Sequence, residues 1–168
     1  AITGSLMQMV SHGLMTALFF AVIGMIYDRT HTRMVAEMGG LMKVIPFITT
    51  VLFIVGLCSL GLPGLSGFVA EMTVFMGSWQ VNDSFHRIAT ILATMSIVVT
   101  AVYILRAIGA TAMGPVKNEN YLQLKDATWN EKLAAIILVA GIIALGIAPG
   151  WLNDLLRPAA EEIINRIS

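Results

Sequence analysis

The stretch Gly61-Leu-Pro-Gly-Leu-Ser-Gly-Phe-Val-Ala-Glu71 decides the architecture of this chain. It interrupts a long apolar run with three glycines and a proline, and then places the carboxylate of Glu71 in the apolar run that follows. A broken helix survives in a bilayer only where it is buried in protein or lines a wet cavity, because lipid cannot bond free backbone groups. A carboxylate at bilayer depth costs roughly 2.5–3.5 kcal/mol, which makes it a functional candidate by default.

The composition of the whole chain is that of a membrane protein. Of its 168 residues, 57% are hydrophobic and 12% are charged, and the mean hydropathy is +0.83. Soluble domains carry about 25% charged residues. The formal net charge is zero, so the chain lacks the surplus of basic residues that is typical of nucleic-acid-binding proteins. Cys58 is the only cysteine, which excludes an intrachain disulfide.

The beginning of the chain predicts an internal start rather than a targeting segment. The sequence opens at Ala1, without an initiator Met, and enters apolar sequence directly. It lacks the basic n-region of a signal peptide. We therefore expect a piece of a longer protein that begins partway along it.

The hydropathy pattern predicts four membrane spans and a polar tail. The spans cover about residues 5–27, 46–79, 88–108 and 133–148, and together they make up a transmembrane bundle over residues 1–151. The segment 152–168 alternates apolar and charged residues in the manner of an amphipathic surface helix, with Trp151 as an interfacial anchor before it. A short interfacial helix is predicted at Met34–Met42.

The second predicted span must be broken. As a continuous helix it would be about 50 Å long, well beyond the roughly 30 Å of the hydrocarbon core. Pro63 removes a backbone donor and clashes with the preceding turn, so the break is predicted within 61–67. Ser66 is predicted to cap the second half-helix, whose start then carries a partial positive charge near Glu71. The predicted break residues are Gly61, Pro63, Gly64 and Gly67.

The distribution of Lys and Arg predicts the orientation. The connections at 28–43 and 106–132 carry seven of these residues, and the opposite side carries three. The positive-inside rule then places both connections in the cytoplasm or an equivalent compartment. Both ends of the chain are predicted on the outer side.

Glu71 has two open interpretations. It is either a structural carboxylate paired with a Lys or Arg elsewhere, or a group that takes up and releases a proton. Removal from water opposes its charge, whereas the helix start favours it, so a change of protonation near neutral pH is within reach. A pair whose basic partner moves would combine both interpretations.

A polar stripe along the first span indicates a hydrated wall. Ser5, Gln8, His12 and Thr16 are spaced by three, four and four residues, which places them on one helical face. His12 is either hydrogen-bonded packing or part of a proton relay with these groups. No second histidine stands four residues away, which argues against a metal site.

Other polar residues receive simpler interpretations. Arg29, His31 and Arg33 are predicted in a solvated or subunit-facing loop, because the positive-inside rule explains them sufficiently. No phosphate loop, nucleotide fingerprint or Ser-His-Asp arrangement is present. One face of the third span carries Ser96, Thr100 and Tyr103.

Several of these motifs together resemble a known family. The runs Ser11-His-Gly-Leu14, Tyr27-Asp-Arg-Thr-His-Thr-Arg33, Glu37-Met-Gly-Gly-Leu41 and Leu62-Pro-Gly-Leu-Ser-Gly-Phe-Val-Ala-Glu71 are similar to the proton-conducting antiporter-like membrane subunits. Within that group the chain most resembles the M-type subunit, or chain 4, of NADH:quinone oxidoreductase (respiratory complex I) and its photosynthetic relatives. The resemblance covers essentially the whole chain.

The resemblance implies a fold and a function. The family fold has fourteen core helices in two inverted repeats, each with a broken helix, and this chain resembles the C-terminal four spans. Glu71 matches the acidic residue of the broken helix at the outer proton exit, and His12 matches a histidine of the central polar axis. The family's earlier Glu–Lys pair and central lysine have no counterpart here, so this part alone would hold only the exit half of a proton path.

The resemblance also implies partners and excludes redox chemistry in this chain. NADH, FMN, iron–sulfur clusters and quinone would bind in partner subunits, and this chain would be one membrane subunit of a proton-translocating enzyme. Its partners would be other membrane-arm subunits, including neighbouring antiporter-like ones. The expected location is a bacterial plasma membrane, ahead of a thylakoid or mitochondrial inner membrane.

Two alternatives remain open at this point. An Mrp-type cation/proton antiporter subunit or a membrane-bound hydrogenase subunit shares the same motif segment. A structural scaffold fragment, whose spans merely hold neighbouring subunits, would need neither Glu71 nor His12.

Overall fold

The computed structural model describes residues 1–167, and its regular elements are all helical. Ser168, the last residue of the predicted tail, lies outside the described residues. Short 3₁₀ turns occur at Val35–Glu37, Leu41–Lys43 and Glu119–Gln123. The α-helices are α1 (Ile2–Thr30), α2 (Pro46–Ser59), α3 (Ser66–Trp79), α4 (Ser84–Ala112), α5 (Trp129–Ile147) and α6 (Gly150–Ile167).

Three of these helices are long and apolar enough to cross a membrane alone. They are α1 and α4, with 29 residues each, and α5, with 19 residues. The second crossing is made differently, because α2 and α3 have only 14 residues each. At 1.5 Å per residue each half is about 21 Å long, shorter than the hydrocarbon core. The prediction of an all-helical membrane fragment with a broken second span is confirmed.

The break between α2 and α3 is built on glycine. Gly61 has a φ of 63° and Gly64 a φ of 92°, conformations that other residues rarely adopt. Helix α5 packs directly onto this segment, since a Cβ added at Gly146 would overlap the carbonyl oxygen of Gly64. The irregular backbone is therefore covered by protein on that side, as a break at membrane depth requires.

Two predicted roles at the break are wrong. Gly67 lies inside α3, where a Cβ would stand 2.7 Å from the Cys58 carbonyl oxygen, so it serves close packing of α3 on α2. Ser66 does not cap α3, because it is already the first residue of the helix. Leu65 stands at the N-cap position, and no side chain there caps the helix by a hydrogen bond. The Ser66 hydroxyl instead accepts a 2.8 Å hydrogen bond from Ser11 on α1.

Helix α1 is the centre of the bundle. It contacts α2, α3, α5 and α6. Its Leu18 and Val22 are fully buried in the same apolar cluster as Ile48 and Leu52 of α2. A smaller cluster joins α1 to α3, α5 and the start of α6, where Leu152 is 5% exposed. The packing of α1 against the two half-helices fixes where the polar residues of α1 face the break.

The segment predicted as a helix at Met34–Met42 is instead two separate 3₁₀ turns. Gly40 separates them with a φ of 66°, and a Cβ there would lie 2.7 Å from the backbone nitrogen of Val116. Adjacent glycines disfavour a continuous helix. The segment before α5 approaches Gly40 so closely that a side chain at this position would not fit.

Charged residues fasten the basic end of the bundle. Arg29 lies within α1 rather than in a loop, which corrects its predicted place, and its side chain is 12% exposed. Its guanidinium binds both carboxylate oxygens of Glu131, at 2.7 and 3.1 Å. It also donates to the carbonyl oxygens of Lys125 and Asp126. Arg29, Asp126 and Glu131 are called the basic-end clamp below.

Asp126 completes the clamp by capping another helix. Helix α2 has no cap from its own N-terminal neighbour, Ile45. The Asp126 carboxylate accepts from the backbone N–H groups of Phe47 and Ile48, at 2.8 and 3.3 Å, across 79 and 78 residues of sequence. The segment before α5 is thereby tied to α1 by Arg29 and to α2 by Asp126.

The start of α4 is capped locally at the opposite end of the bundle. The Asp83 carboxylate accepts a 2.7 Å hydrogen bond from the His86 backbone N–H and also contacts the His86 ring. These bonds to the charged form hold the pKa of Asp83 below its ordinary value. Asp83 is a short-range cap of the kind that sequence alone suggests.

Candidate functional site

Glu71 stands on α3, in the second turn after the break, and its carboxylate rests against Gly61. A Cβ added at Gly61 would overlap the Glu71 carboxylate oxygen Oε2. The glycine therefore provides the left-handed turn and also the space that the carboxylate occupies. Sequence reasoning identified Gly61 only as a helix breaker, and no sequence signal reveals its contact with Glu71.

Glu71 has no basic partner within the described residues. The ion pairs found in residues 1–167 are Arg29–Glu131, His86–Asp83, Arg157–Glu161 and Arg166–Glu162. A partly buried carboxylate with no cation beside it is costly to ionise. Within residues 1–167, no contact supports the interpretation of Glu71 as half of a structural ion pair.

A small cavity connects Glu71 to α1. It has a volume of about 30 Å³, large enough for a water molecule. The α1 side chains Gln8, Ser11 and His12 line it together with Ser59 and Glu71. Two of the predicted path residues, Gln8 and His12, thus line the same cavity as Glu71. We call this space the α1 cavity.

Gln8 gives the α1 cavity an unusual polar atom. Its side-chain oxygen Oε1 is buried and lacks a hydrogen-bond partner in residues 1–167. Buried acceptors are nearly always satisfied by protein or water. Gln8 lines the α1 cavity, and such a polar lining around a space large enough for one water fits a hydrated interior better than a dry one.

A second, larger cavity lies on the α4 side of Glu71. Its volume is about 230 Å³, room for several waters. Glu71 and Ser59 line both cavities. The wall opposite Glu71 is formed by one stripe of α4, which carries the hydroxyls of Ser96 and Thr100. We call this space the α4 cavity, and Glu71 separates it from the α1 cavity.

The remaining predicted path residues lie outside both cavities. Ser5 is exposed, and its hydroxyl donates to the Ala1 carbonyl oxygen. Thr16 contacts the His12 ring at 3.3 Å, one turn farther along α1. Ser66 is 3% exposed and lies in the α1–α3 interface, bonded to Ser11.

The structure adds cavity residues that the sequence did not single out. Ser11 and Ser59 also line the α1 cavity. Ser11 stands three residues after Gln8, so helical spacing places it beside the predicted stripe, whereas Ser59 is on α2 and no such spacing indicates it. The shared face of Ser96, Thr100 and Tyr103 was predicted from spacing, yet only Ser96 and Thr100 of that set line the α4 cavity. Tyr103 is 59% exposed.

Metal ligation has no support among the described residues. No group of three or more His, Cys, Asp or Glu side chains in residues 1–167 is placed to hold a metal ion. The site therefore offers one carboxylate, one imidazole and several hydroxyls around two cavities. Such groups pass protons through short hydrogen bonds or single waters.

The chain matches a known family over more than half its length. Residues 1–100 match the family described as "NADH:quinone oxidoreductase/Mrp antiporter, TM". Among curated proteins, the chain is 31% identical over 163 residues to NADH-quinone oxidoreductase subunit M of Rickettsia felis, which covers 97% of this chain and 32% of that protein. It is 35% identical over 171 residues to NAD(P)H-quinone oxidoreductase chain 4 1 of Trichormus variabilis, covering 99% of this chain and 33% of that protein.

Solved structures give the same result. A chain of respiratory complex I from Thermus thermophilus with bound NADH is similar with a TM-score of 0.83 and 28% identity, covering 95% of this chain and 32% of that one. A chain of an archaeal membrane-bound sulfane sulfur reductase shares the fold, with a TM-score of 0.83 at 23% identity, covering 92% of this chain and 25% of that one. The chain spans about a third of the length of the curated relatives that it matches.

Proposed function

The chain belongs to the NADH:quinone oxidoreductase/Mrp antiporter membrane family, and from that premise we propose that it forms the proton-exit part of an M-type subunit of a proton-translocating NADH:quinone oxidoreductase. Glu71 is the group that takes up and releases the proton. His12 lies on its supply side, across the α1 cavity. This chain does no redox chemistry itself.

The observation that carries this proposal is the position of Glu71 between two cavities. It has no cation partner within residues 1–167, and it lines both the α1 cavity and the α4 cavity. A carboxylate held in this way can accept a proton from one side and release it to the other. A structural carboxylate would instead be fixed by a partner, as Glu131 is by Arg29.

The enzyme's other parts are assigned to partner subunits. NADH, FMN, the iron–sulfur clusters and quinone bind there, and neighbouring antiporter-like subunits flank this one in the membrane. The chain lies in a bacterial plasma membrane with both its ends on the outer side, in agreement with seven Lys and Arg residues on the opposite side and three on this one. Electrochemical coupling to quinone reduction occurs across the subunit interfaces.

The test is Glu71→Gln in the full-length subunit of the assembled complex. Gln keeps the shape of the side chain but cannot carry a proton. We expect proton translocation in membrane vesicles to fall by about tenfold, a barrier increase of about 1.4 kcal/mol, with quinone reduction slowed as well because the two processes are coupled. Dye-quenching and quinone-reduction assays on the same vesicles measure both rates.

The matched control is Glu119→Gln, which makes the same chemical change at an exposed carboxylate in the connection before α5. It should leave both rates unchanged. Near-normal proton translocation by a fully assembled Glu71→Gln complex would refute the proposal. A sodium requirement for transport would instead favour cation/proton antiport.

A further inference from the structure

Apart from the Glu71 carboxylate, the polar side chains that line the α4 cavity are all hydroxyls. Three hydroxyl residues face it besides the Glu71 carboxylate: Ser59, Ser96 and Thr100. The other lining residues are apolar and contribute no side-chain hydrogen-bonding group. What the cavity can bind therefore depends on how these hydroxyl groups are oriented.

Each hydroxyl already uses its hydrogen within its own helix. Ser59 donates to the Gly56 carbonyl oxygen at 2.6 Å. Ser96 donates to the Ala93 carbonyl oxygen at 2.7 Å, and Thr100 donates to that of Ser96 at 3.1 Å. A hydroxyl has one donor and two acceptor positions, so only oxygen lone pairs remain for the cavity.

The α4 cavity thus presents acceptors alone to whatever fills it. Water can point its hydrogens at such a wall, and a protonated water, which has only donors, fits it best. A hydroxide ion or another anion finds no donor there and meets the Glu71 carboxylate. The lining therefore favours an excess positive charge in the cavity water.

We propose that Ser96 and Thr100 hold the water that receives the proton from Glu71 in the α4 cavity. They are positioning residues, which orient water and do not exchange protons themselves. In the transfer, the Glu71 carboxyl group gives its proton to a cavity water, and the carboxylate and a protonated water result. The inference rests on the proposed function and adds the first acceptor of the proton that Glu71 releases.

The test combines Ser96→Ala with Thr100→Val in the full-length subunit of the assembled complex. Val keeps the shape of Thr but removes the acceptor oxygen. Proton translocation should fall by about tenfold, the effect of losing a hydrogen bond to a charged group. Thr100→Ser, which retains the hydroxyl, should restore most of the rate when it replaces Val.

The matched control is Thr94→Val on the same helix. The Thr94 hydroxyl also donates to its own helix, at the Thr90 carbonyl oxygen, but the residue does not line the α4 cavity. This variant should translocate protons at the wild-type rate. A loss equal to that of the double variant would overturn the proposal, because it would show a general effect of removing hydroxyls from α4.

A second measurement tests the lining without reference to transport. Thr100→Cys is labelled in the assembled complex with cationic and anionic methanethiosulfonate reagents, with the buried Cys58 giving the background in the unmodified chain. The ratio of the cationic to the anionic reaction rate should be about tenfold higher at this cysteine than for a free thiol in solution. Absence of labelling, or a preference for the anionic reagent, would overturn the proposal even if the double variant failed to assemble.

The outcomes separate this inference from the proposed function. If Glu71→Gln stops translocation and the assembled Ser96/Thr100 double variant works normally, the proposed role of the α4 cavity is wrong and the function of Glu71 stands. If Glu71→Gln has no effect, the proposed function fails and this inference fails with it. If Glu71→Gln and the Ser96/Thr100 double variant both lose translocation while Thr94→Val keeps it, the proposed function and this inference are both supported.

Discussion

The basic-end clamp and the break around Glu71 treat part-buried charge in opposite ways. In the clamp, the Arg29 guanidinium donates hydrogen bonds to both oxygens of Glu131 and to three backbone carbonyls. At the break, the carboxylate of Glu71 has a glycine beneath it and a cavity on either side. Satisfied charges fix a structure, whereas an unpaired carboxylate beside water can change its protonation.

The difference follows from the cost of leaving a charge without partners. Breaking an ion pair that is removed from water is destabilising, because the remaining partner keeps its charge without compensation. Glu71 can avoid that cost by binding a proton. The clamp therefore serves stability, whereas the break is the place where we propose that protons are exchanged with water.

The largest expected effect is on the clamp. Arg29→Gln leaves Glu131 without its cation and removes the donors to the Lys125 and Asp126 carbonyls. We expect a loss of about 3 kcal/mol in stability, because this part-buried side chain donates several hydrogen bonds to a carboxylate and to backbone carbonyls. Heating membranes and quantifying the intact complex on native gels measures the loss.

The contrast with Glu71 makes that prediction specific. Glu71→Gln removes an unpaired charge, so it should leave the heat resistance of the complex unchanged or slightly increased. The comparison breaks down if Arg29→Gln impairs proton translocation at full stability. It breaks down equally if Glu71→Gln destabilises the complex as much as Arg29→Gln does.

A smaller effect on stability, with a large one on transport, is expected from Gly61→Ala. The added Cβ would displace the Glu71 carboxylate, and a φ of 63° costs an alanine about 1–2 kcal/mol. Proton translocation should fall nearly as far as in Glu71→Gln. The dye-quenching assay on vesicles with equal amounts of assembled complex gives the rate.

Gly64→Ala is the matched control for this change. Gly64 also has a positive φ, of 92°, but a Cβ there meets nothing within 4 Å. It therefore carries the backbone strain without displacing the carboxylate. If both alanine variants lose transport equally, strain in the break explains the loss, and the contact between Gly61 and Glu71 has no special role.

The smallest effect is expected from Asp126→Ala. It removes the cap of α2 but leaves the Arg29–Glu131 pair in place. A lost cap costs about 1 kcal/mol, so heat resistance should fall by about a third of the Arg29→Gln effect. Transport per assembled complex should be unchanged. A transport defect without loss of stability would show that the clamp also takes part in coupling.

Part of the site could be predicted from the sequence because helical spacing is a local property. The stripe of Gln8, His12 and Thr16 follows from intervals of four residues, and the break follows from Pro63 and its glycines. Ser59 could not be identified in this way. It lies at the end of α2 and lines the α1 cavity because α1 packs against the break, which no local pattern encodes.

The interpretation of Arg29 failed for a similar reason. The positive-inside rule is sufficient to explain an arginine near the end of a span, and it says nothing about a partner 102 residues away. Ser66 likewise has the residue type of a helix cap, yet the hydroxyl of Ser11 binds it across the helix interface. Residue type favoured a local role in each case, and long-range packing decided otherwise.

The sequence by itself determined that this chain is an all-helical membrane protein with one broken span and a carboxylate just after the break. Those features depend on hydrophobicity, length and the backbone limits of glycine and proline, which act within a few residues. Only the tertiary structure decided that Glu71 lies against Gly61 between two cavities, and that Arg29 is bound rather than free. Such contacts arise when distant helices pack, because burial and pairing of charge depend on neighbours that the order of residues does not name.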